Sequence, residues 1–140
     1  MDKNDPEQIE YCNILASTQR TVYDTIRSVY CPILRVDVVF NARGFHHLLY
    51  DSSGTARNVC ERIYKLTLMP LVIPVIKNAL SVKDERDVSV RISRKKNSLK
   101  KDGKTYALSS IVGRKNPVAV RVIILRIGTG NYMFRSVMKD

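Results

Sequence analysis

At 140 residues with 44% hydrophobic side chains, the chain has the length and apolar content for one domain with its own core, which argues against disorder throughout. Its net charge of +11 points to a polyanionic partner, nucleic acid first and an acidic membrane surface second. Three widely spaced cysteines (Cys12, Cys31 and Cys60) and no tryptophan speak against a disulfide framework, a zinc knuckle and a stacking-based single-strand binder.

In chain order, Asp5-Pro6-Glu7 has the form of a helix start: a capping side chain, proline in the first turn, then an acid. Ile9, Cys12, Leu15, Val22, Ile26 and Val29 fall roughly on one face, so a helix is expected over 6–29, ended by Tyr30-Cys31-Pro32. Residues 33–40 alternate Leu34, Val36, Val38 and Phe40 with Arg35 and Asp37, the mark of a half-buried strand.

The segment that follows, Phe40 to Tyr50, holds both histidines of the chain, His46 and His47, with Gly44 before them and Arg43 and Arg57 on either side. Two helical turns are expected over 44–50, then a Ser-Ser-Gly-Thr loop, then a helix over 56–66 capped by Thr55. The apolar run around Pro70 and Pro74 predicts a break near Met69 and a short buried helix to Leu80, kinked at Pro74. This run is too short and too interrupted to span a bilayer, and the polar start Met1–Pro6 has no signal-peptide core, so a cytoplasmic protein is expected.

The second half changes character. Asp84, Glu85 and Asp87 read as a loop, and Val88, Val90 and Ile92 alternate with polar residues as a strand. Arg94, Lys95, Lys96, Lys100, Lys101 and Lys104 form a basic run, inside which Asp102-Gly103 reads as a hairpin turn. Strands are expected at 106–112, 118–127 and 132–138, joined by turns at 113–117 and 128–131, with 118–127 central because it is the most apolar. Residues 86–126 carry twelve Lys/Arg and two Asp/Glu, so nearly all the excess charge lies in this half.

The expected architecture is α+β, a single domain over 1–140. A helical half, 1–80, packs on a twisted antiparallel sheet of about four strands at 86–139, which the strand at 33–40 can join as a fifth at an edge.

Two stretches resemble a known family. One is Gly44-Phe45-His46-His47-Leu48 with Arg57 some ten residues on. The other is Arg121–Arg126, a Gly-Thr-Gly-Asn turn, then Tyr132-Met133-Phe134-Arg135-Ser136-Val137. Together with the element order they are similar to the barnase–EndoU–colicin–RelE class of small metal-independent RNA endonucleases, in particular its phage-type and bacterial branches. The resemblance implies helices packed on a twisted antiparallel sheet and cleavage of RNA through its own 2′-hydroxyl. It implies neither metal nor cofactor, and it allows an acidic inhibitor or antitoxin as a protein partner. Its pattern of glycine, two residues, histidine and an apolar residue matches Gly44, His47 and Leu48.

The chemistry asks for the same residue types. RNA cleavage without a metal needs a base for the 2′-hydroxyl, cations for the charge that builds on phosphate, and an acid for the leaving oxygen. Histidine titrates near neutrality, and the arginine fork matches phosphate oxygens. Neighbours on a helix point about 100° apart, so His46 and His47 should not share one job; His47 is the favoured proton-transfer residue. Arg57, Arg121, Arg126, Ser136 and Tyr106 are the other catalytic candidates. Arg121 and Arg126 are five apart and should face opposite sides of a regular strand. RNA contacts are expected from Arg43, Arg91, Arg94, Lys95, Lys96, Lys100, Lys101, Lys104, Arg114 and Lys115. The competing readings are a non-catalytic nucleic-acid-binding module and a basic domain that docks an acidic protein.

Overall fold

The computed structural model describes residues 5–91 and 99–140. The chain is α+β: helices on one face of a six-stranded mixed sheet. In chain order it runs α1 (Pro6–Thr25), β1 (Ser28–Cys31), β2 (Val36–Val39), α2 (Ala42–Leu49), α3 (Val59–Leu68), a 3-10 turn (Met69–Leu71) and α4 (Val72–Asn78). Then come β3 (Val82–Arg91), β4 (Lys100–Val112), β5 (Val118–Ile127) and β6 (Tyr132–Lys139). The spatial order is β1-β2-β6-β5-β4-β3.

The four C-terminal strands form the expected antiparallel meander, and the apolar β5 lies inside it. The sheet is larger than expected because the first helix is shorter. Thr21, Val22, Thr25 and Ile26 are poor helix formers, and Ile26 is already extended (φ −85°, ψ 120°). The chain then forms β1, which turns back through Arg35 (φ 57°) to pair antiparallel with β2. β2 joins the meander parallel to β6, at Val38↔Tyr132 and Val39↔Met133. The sheet is therefore mixed, and the edge beyond β2 is β1.

Four local expectations are corrected. The helix after the histidines begins at Val59, not 56: Asn58 caps it, accepting from the Glu61 amide at 2.9 Å while its own amide donates to the Glu61 carboxylate at 3.1 Å. Arg57 thus stands before the helix, not within it. Pro74 falls in the first turn of α4, where its missing N–H has no intrahelical partner to lose, so no kink is required. Asp102 and Gly103 do not turn. They lie within β4, opposite Ser89 and Val88, and β3 begins at Val82, so the acidic run at 84–87 is strand and not loop. The last register pair of β3 with β4 is Arg91 with Lys100. Gly103 answers a packing need instead, since a side chain there would meet the Arg126 carbonyl at 2.9 Å.

Alternation along the strands separates two faces. Leu108, Val120, Val122, Ile124, Phe134 and Val137 join Leu48, Leu66, Val72, Val75 and Ile76 from the helices in one core. Cys12 and Cys31 pack there as small buried thiols, with pKa values raised chiefly by burial. The residues between them on β3, β4 and β5, among them Asp84, Thr105, Ala107, Arg121 and Ile123, look out from the face the helices leave open.

α2 is held against β6 by aromatic packing. Tyr23, Phe40, Phe45 and Phe134 form one cluster, with Phe40 stacked on Phe134 at 5.3 Å and Tyr23 edge-on to Phe45 at 5.2 Å. The Tyr23 hydroxyl donates to the Asn41 carbonyl at 2.5 Å, and the Asn41 side chain caps α2 at the Gly44 amide. Gly44 sits where helix and strand touch: a methyl group there would lie 2.6 Å from the Phe134 carbonyl oxygen and 2.7 Å from the Tyr23 hydroxyl. Gly44→Ala should therefore lose about 1–3 kcal/mol of stability, despite alanine's better helix propensity. A lowered urea midpoint is the expected reading; an unchanged or raised one would contradict this packing.

Candidate active site

Close packing of α2 on β6 places His47 beside an irregularity in the sheet. β6 pairs Ser136 with Ile123 and Phe134 with Ile124, so Arg135 is the extra residue of a β-bulge. A regular strand would send Phe134 and Val137 to opposite faces; the bulge lets both enter the core and turns Arg135 aside. Arg135 is missing from the candidates expected above, although the odd spacing of Phe134 and Val137 signals the bulge.

Arg135 and Arg43 bear on His47 together with Arg57. Burial is the largest influence on His47, followed by the positive fields of Arg135, Arg43, His46 and Arg57, and its pKa falls from 6.5 to about 4. At neutral pH the imidazole is uncharged and can accept a proton. Arg135 is itself depressed by burial and by Arg43, and its Nη1 is a buried nitrogen with no hydrogen-bond partner. An orphaned guanidinium nitrogen beside a base is poised for an anion. Arg57 is anchored by its Nε donating to the His47 carbonyl at 3.1 Å and by a long contact of 3.7 Å to Glu61. Arg43 donates to the Arg91 carbonyl at 2.7 Å, which ties the start of α2 to the end of β3.

Lys65 is the second residue the sequence reading missed. It is 9% exposed, on α3, and its ammonium donates to the Val137 carbonyl at 2.7 Å and to the Ser136 hydroxyl at 3.3 Å. Burial and then Arg57 lower its pKa to about 8, with Glu61 opposing. Tyr64 accepts from the Lys139 amide at 2.6 Å, so α3 satisfies through its side chains a strand edge that β2 covers only at its start. Arg57, Glu61 and Lys65, four apart, are the pattern that marks this face.

His46 goes elsewhere. Its ring stacks on Tyr50 at 4.2 Å, and the Arg62 guanidinium lies 5.7 Å from the Tyr50 ring. The two histidines diverge as their helical positions require. Arg121 looks out from the open face and is paired with Asp140 at 3.0 Å, while Ser109 also hydrogen-bonds Asp140. Arg126 lies on the helix side, over the Tyr132 ring at 4.8 Å, and donates to the Gly130 and Thr129 carbonyls. Its donors staple the β5–β6 turn. Tyr106 is beside Tyr132 on that same side; the groups whose charge bears on His47 are Arg135, Arg43, His46 and Arg57, and neither Arg126 nor Tyr106 is among them.

The candidate RNA contacts are likewise divided. Lys104 pairs with Glu85 at 3.2 Å and Asp87 at 3.9 Å. Arg91, Lys100 and Lys101 are exposed at one end of the β3–β4 hairpin; Arg114 and Lys115 are exposed beyond the other end of β4, about 40 Å of strand away. Arg94, Lys95 and Lys96 lie outside the described residues. The charge excess therefore marks two poles of the sheet, and Arg43, Arg57, Arg135 and Lys65 form a third group between α2, α3 and β6.

The depressed His47 pKa sets a pH dependence. Between about pH 6.5 and pH 4 the unfolded chain binds a proton that folded His47 refuses, so stability falls as pH drops through that window. The loss is complete near the folded value and amounts to at most about 3 kcal/mol. His47→Gln should remove this slope, so that the variant gains on wild type on acidification. Parallel urea-midpoint curves for the two proteins across that window would contradict it.

No family model matches the chain, and neither a curated protein nor a solved structure matches it. Among the described residues, no helix is long and apolar enough to cross a membrane.

Proposed function

We propose that the protein is a metal-independent RNA endonuclease acting at the α2–β6 junction, as the family resemblance implies. One observation carries the reading: a half-buried, neutral imidazole among cations, one of them with an unpartnered buried nitrogen. His47 removes the proton from a ribose 2′-hydroxyl. The oxygen attacks the adjacent phosphate, the 5′-oxygen leaves, and a 2′,3′-cyclic phosphate remains.

Arg135, with Arg43 and Arg57, holds the non-bridging oxygens as charge builds on them. The incoming phosphate offsets the repulsion that depresses His47 and raises its pKa toward neutrality in the complex, where a general base works best. Ser136 accepts from Lys65, which leaves its own O–H to protonate the leaving oxygen; Lys65 then returns a proton to Ser136. Before the next turnover the proton taken by His47 is lost to solvent and Lys65 regains one from solvent. Exposed Arg91, Lys100 and Lys101 add contacts to RNA phosphates.

Incubation with RNA in EDTA tests the reading. Fragments ending in 2′,3′-cyclic phosphate are expected. Intact RNA, or cleavage only after a divalent cation is added, would overturn it. Salt-sensitive binding without cleavage would favour the non-catalytic nucleic-acid-binding module.

A further inference from the structure

The open face of the sheet carries a shallow cavity of about 220 Å³ next to the bulge. Its origin is the small side chain of Ala107. On one row across the sheet, Asp84 of β3 faces Ala107 of β4, then Ile123 of β5, then Ser136 of β6. Alanine in the middle leaves a hollow whose apolar lining is Ala107, Ile123 and Met138 and whose polar lining includes Asp84, Arg86 and Arg121. Ser136 is one strand spacing from Ile123, about 5 Å between backbones, so whatever fills the hollow lies beside the residue proposed to serve the leaving oxygen.

The polar groups are held in place. Asp84 accepts from the Arg86 Nε at 2.5 Å, and a carboxylate so engaged still has acceptor capacity on both oxygens. Arg121 is fixed through its Nε by Asp140 at 3.0 Å, a bond that does not use the two terminal nitrogens of the fork. Asp84 and Arg121 stand on strands two apart, about 9.5 Å between backbones, with the apolar floor between them. The opening thus presents an acceptor on one side and a forked donor on the other, over a surface suited to a flat ring; the Met138 sulfur is a favourable contact for an aromatic face.

We propose that this pocket binds a guanine base of the RNA substrate, an inference that rests on the RNA-cleavage reading of the neighbouring site. Guanine offers adjacent donors at N1 and N2 and acceptors at O6 and N7, which complement Asp84 and Arg121 together. Adenine turns its N6 donors toward the Arg121 donors and has no N2 amino group for Asp84. Cytosine has a donor for Asp84 and acceptors for Arg121, but its single ring is too small to span the two.

The test is a titration of the full chain with GMP, AMP, CMP and UMP, read at the Ile123 and Met138 methyl groups by NMR. GMP should shift both methyls and bind about tenfold or more tightly than AMP. Asp84→Asn, at a partly exposed edge-strand position, should erase the preference because an amide can donate where the carboxylate only accepts. Ala107→Leu, provided its melting curve shows a folded protein, should abolish the shifts by filling the hollow. Equal affinity for all four nucleotides, or shifts near His47 and Arg135 with Ile123 and Met138 unmoved, would overturn the proposal. A guanine preference at these methyls without RNA cleavage would support the pocket and count against the cleavage reading; cleavage with the methyls unmoved would do the reverse.

Discussion

Alanine in place of His47 is expected to lower RNA cleavage in EDTA by about 10²- to 10⁴-fold, with the fold intact. His47 lies beyond the buried anchors of α2, which are Gly44, Phe45 and Leu48, so its side chain can go without loosening the helix. Removing it also relieves a desolvated group that acid would force to charge. The variant should therefore melt no earlier than wild type at neutral pH and later in acid, separating a catalytic loss from an unfolding one. The same substitution at His46 should leave most of the activity, because that ring is occupied in stacking on Tyr50. Full cleavage by a variant lacking both histidines would remove the base from the mechanism altogether.

Phe134→Ala is expected to cost about 3–5 kcal/mol, the largest stability loss foreseen for any single substitution considered. Phe134 is 1% exposed, stacks on Phe40 and reaches Tyr23 at 6.3 Å. Its carbonyl receives the close approach of Gly44. Truncation opens a cavity where α2 rests on β6, directly beside the bulge that aims Arg135. Urea unfolding should show a much lower midpoint, and the folded fraction should also lose cleavage because His47 and Arg135 no longer share one frame. A loss below about 1 kcal/mol would mean that the neighbouring aromatics close the gap. Leu99→Ala, at an exposed position 68% accessible to solvent, is the control and should change little.

Much of the fold is legible in local sequence. Asp5-Pro6-Glu7 starts α1 as capping chemistry requires, with the Asp5 carboxylate accepting from the Glu7 amide at 2.9 Å. The apolar run 118–127 becomes an interior strand, flanked by β4 and β6, with Val120, Val122 and Ile124 in the core under the helices. What escaped local reading depends on distant partners. β1 looks like the end of a helix until β2 is there to pair with it. The parallel contact of β2 with β6 links residues far apart in the chain through two register pairs. Asp102-Gly103 has turn chemistry, but the long pairing of β3 with β4 outweighs a dipeptide preference.

The site divides in the same way. His47 could be separated from His46 by helical geometry alone. Arg121 and Arg126 face opposite sides as their odd spacing demands, but only the folded sheet assigns the sides. Arg135 required a bulge, and Lys65 required a strand edge for its ammonium to satisfy. Lys65 is a buried cation, a rare placement, and Arg135 is half-buried with one guanidinium nitrogen out of solvent; neither is distinguished by the composition of its own segment.

The most direct measurement compares two oligonucleotides of one sequence, an RNA strand and its 2′-deoxy counterpart, incubated with the protein in EDTA. Cleavage of the ribo strand and none of the deoxy strand is expected, because His47 acts on the 2′-hydroxyl. Cleavage of both strands, or of neither, would contradict it.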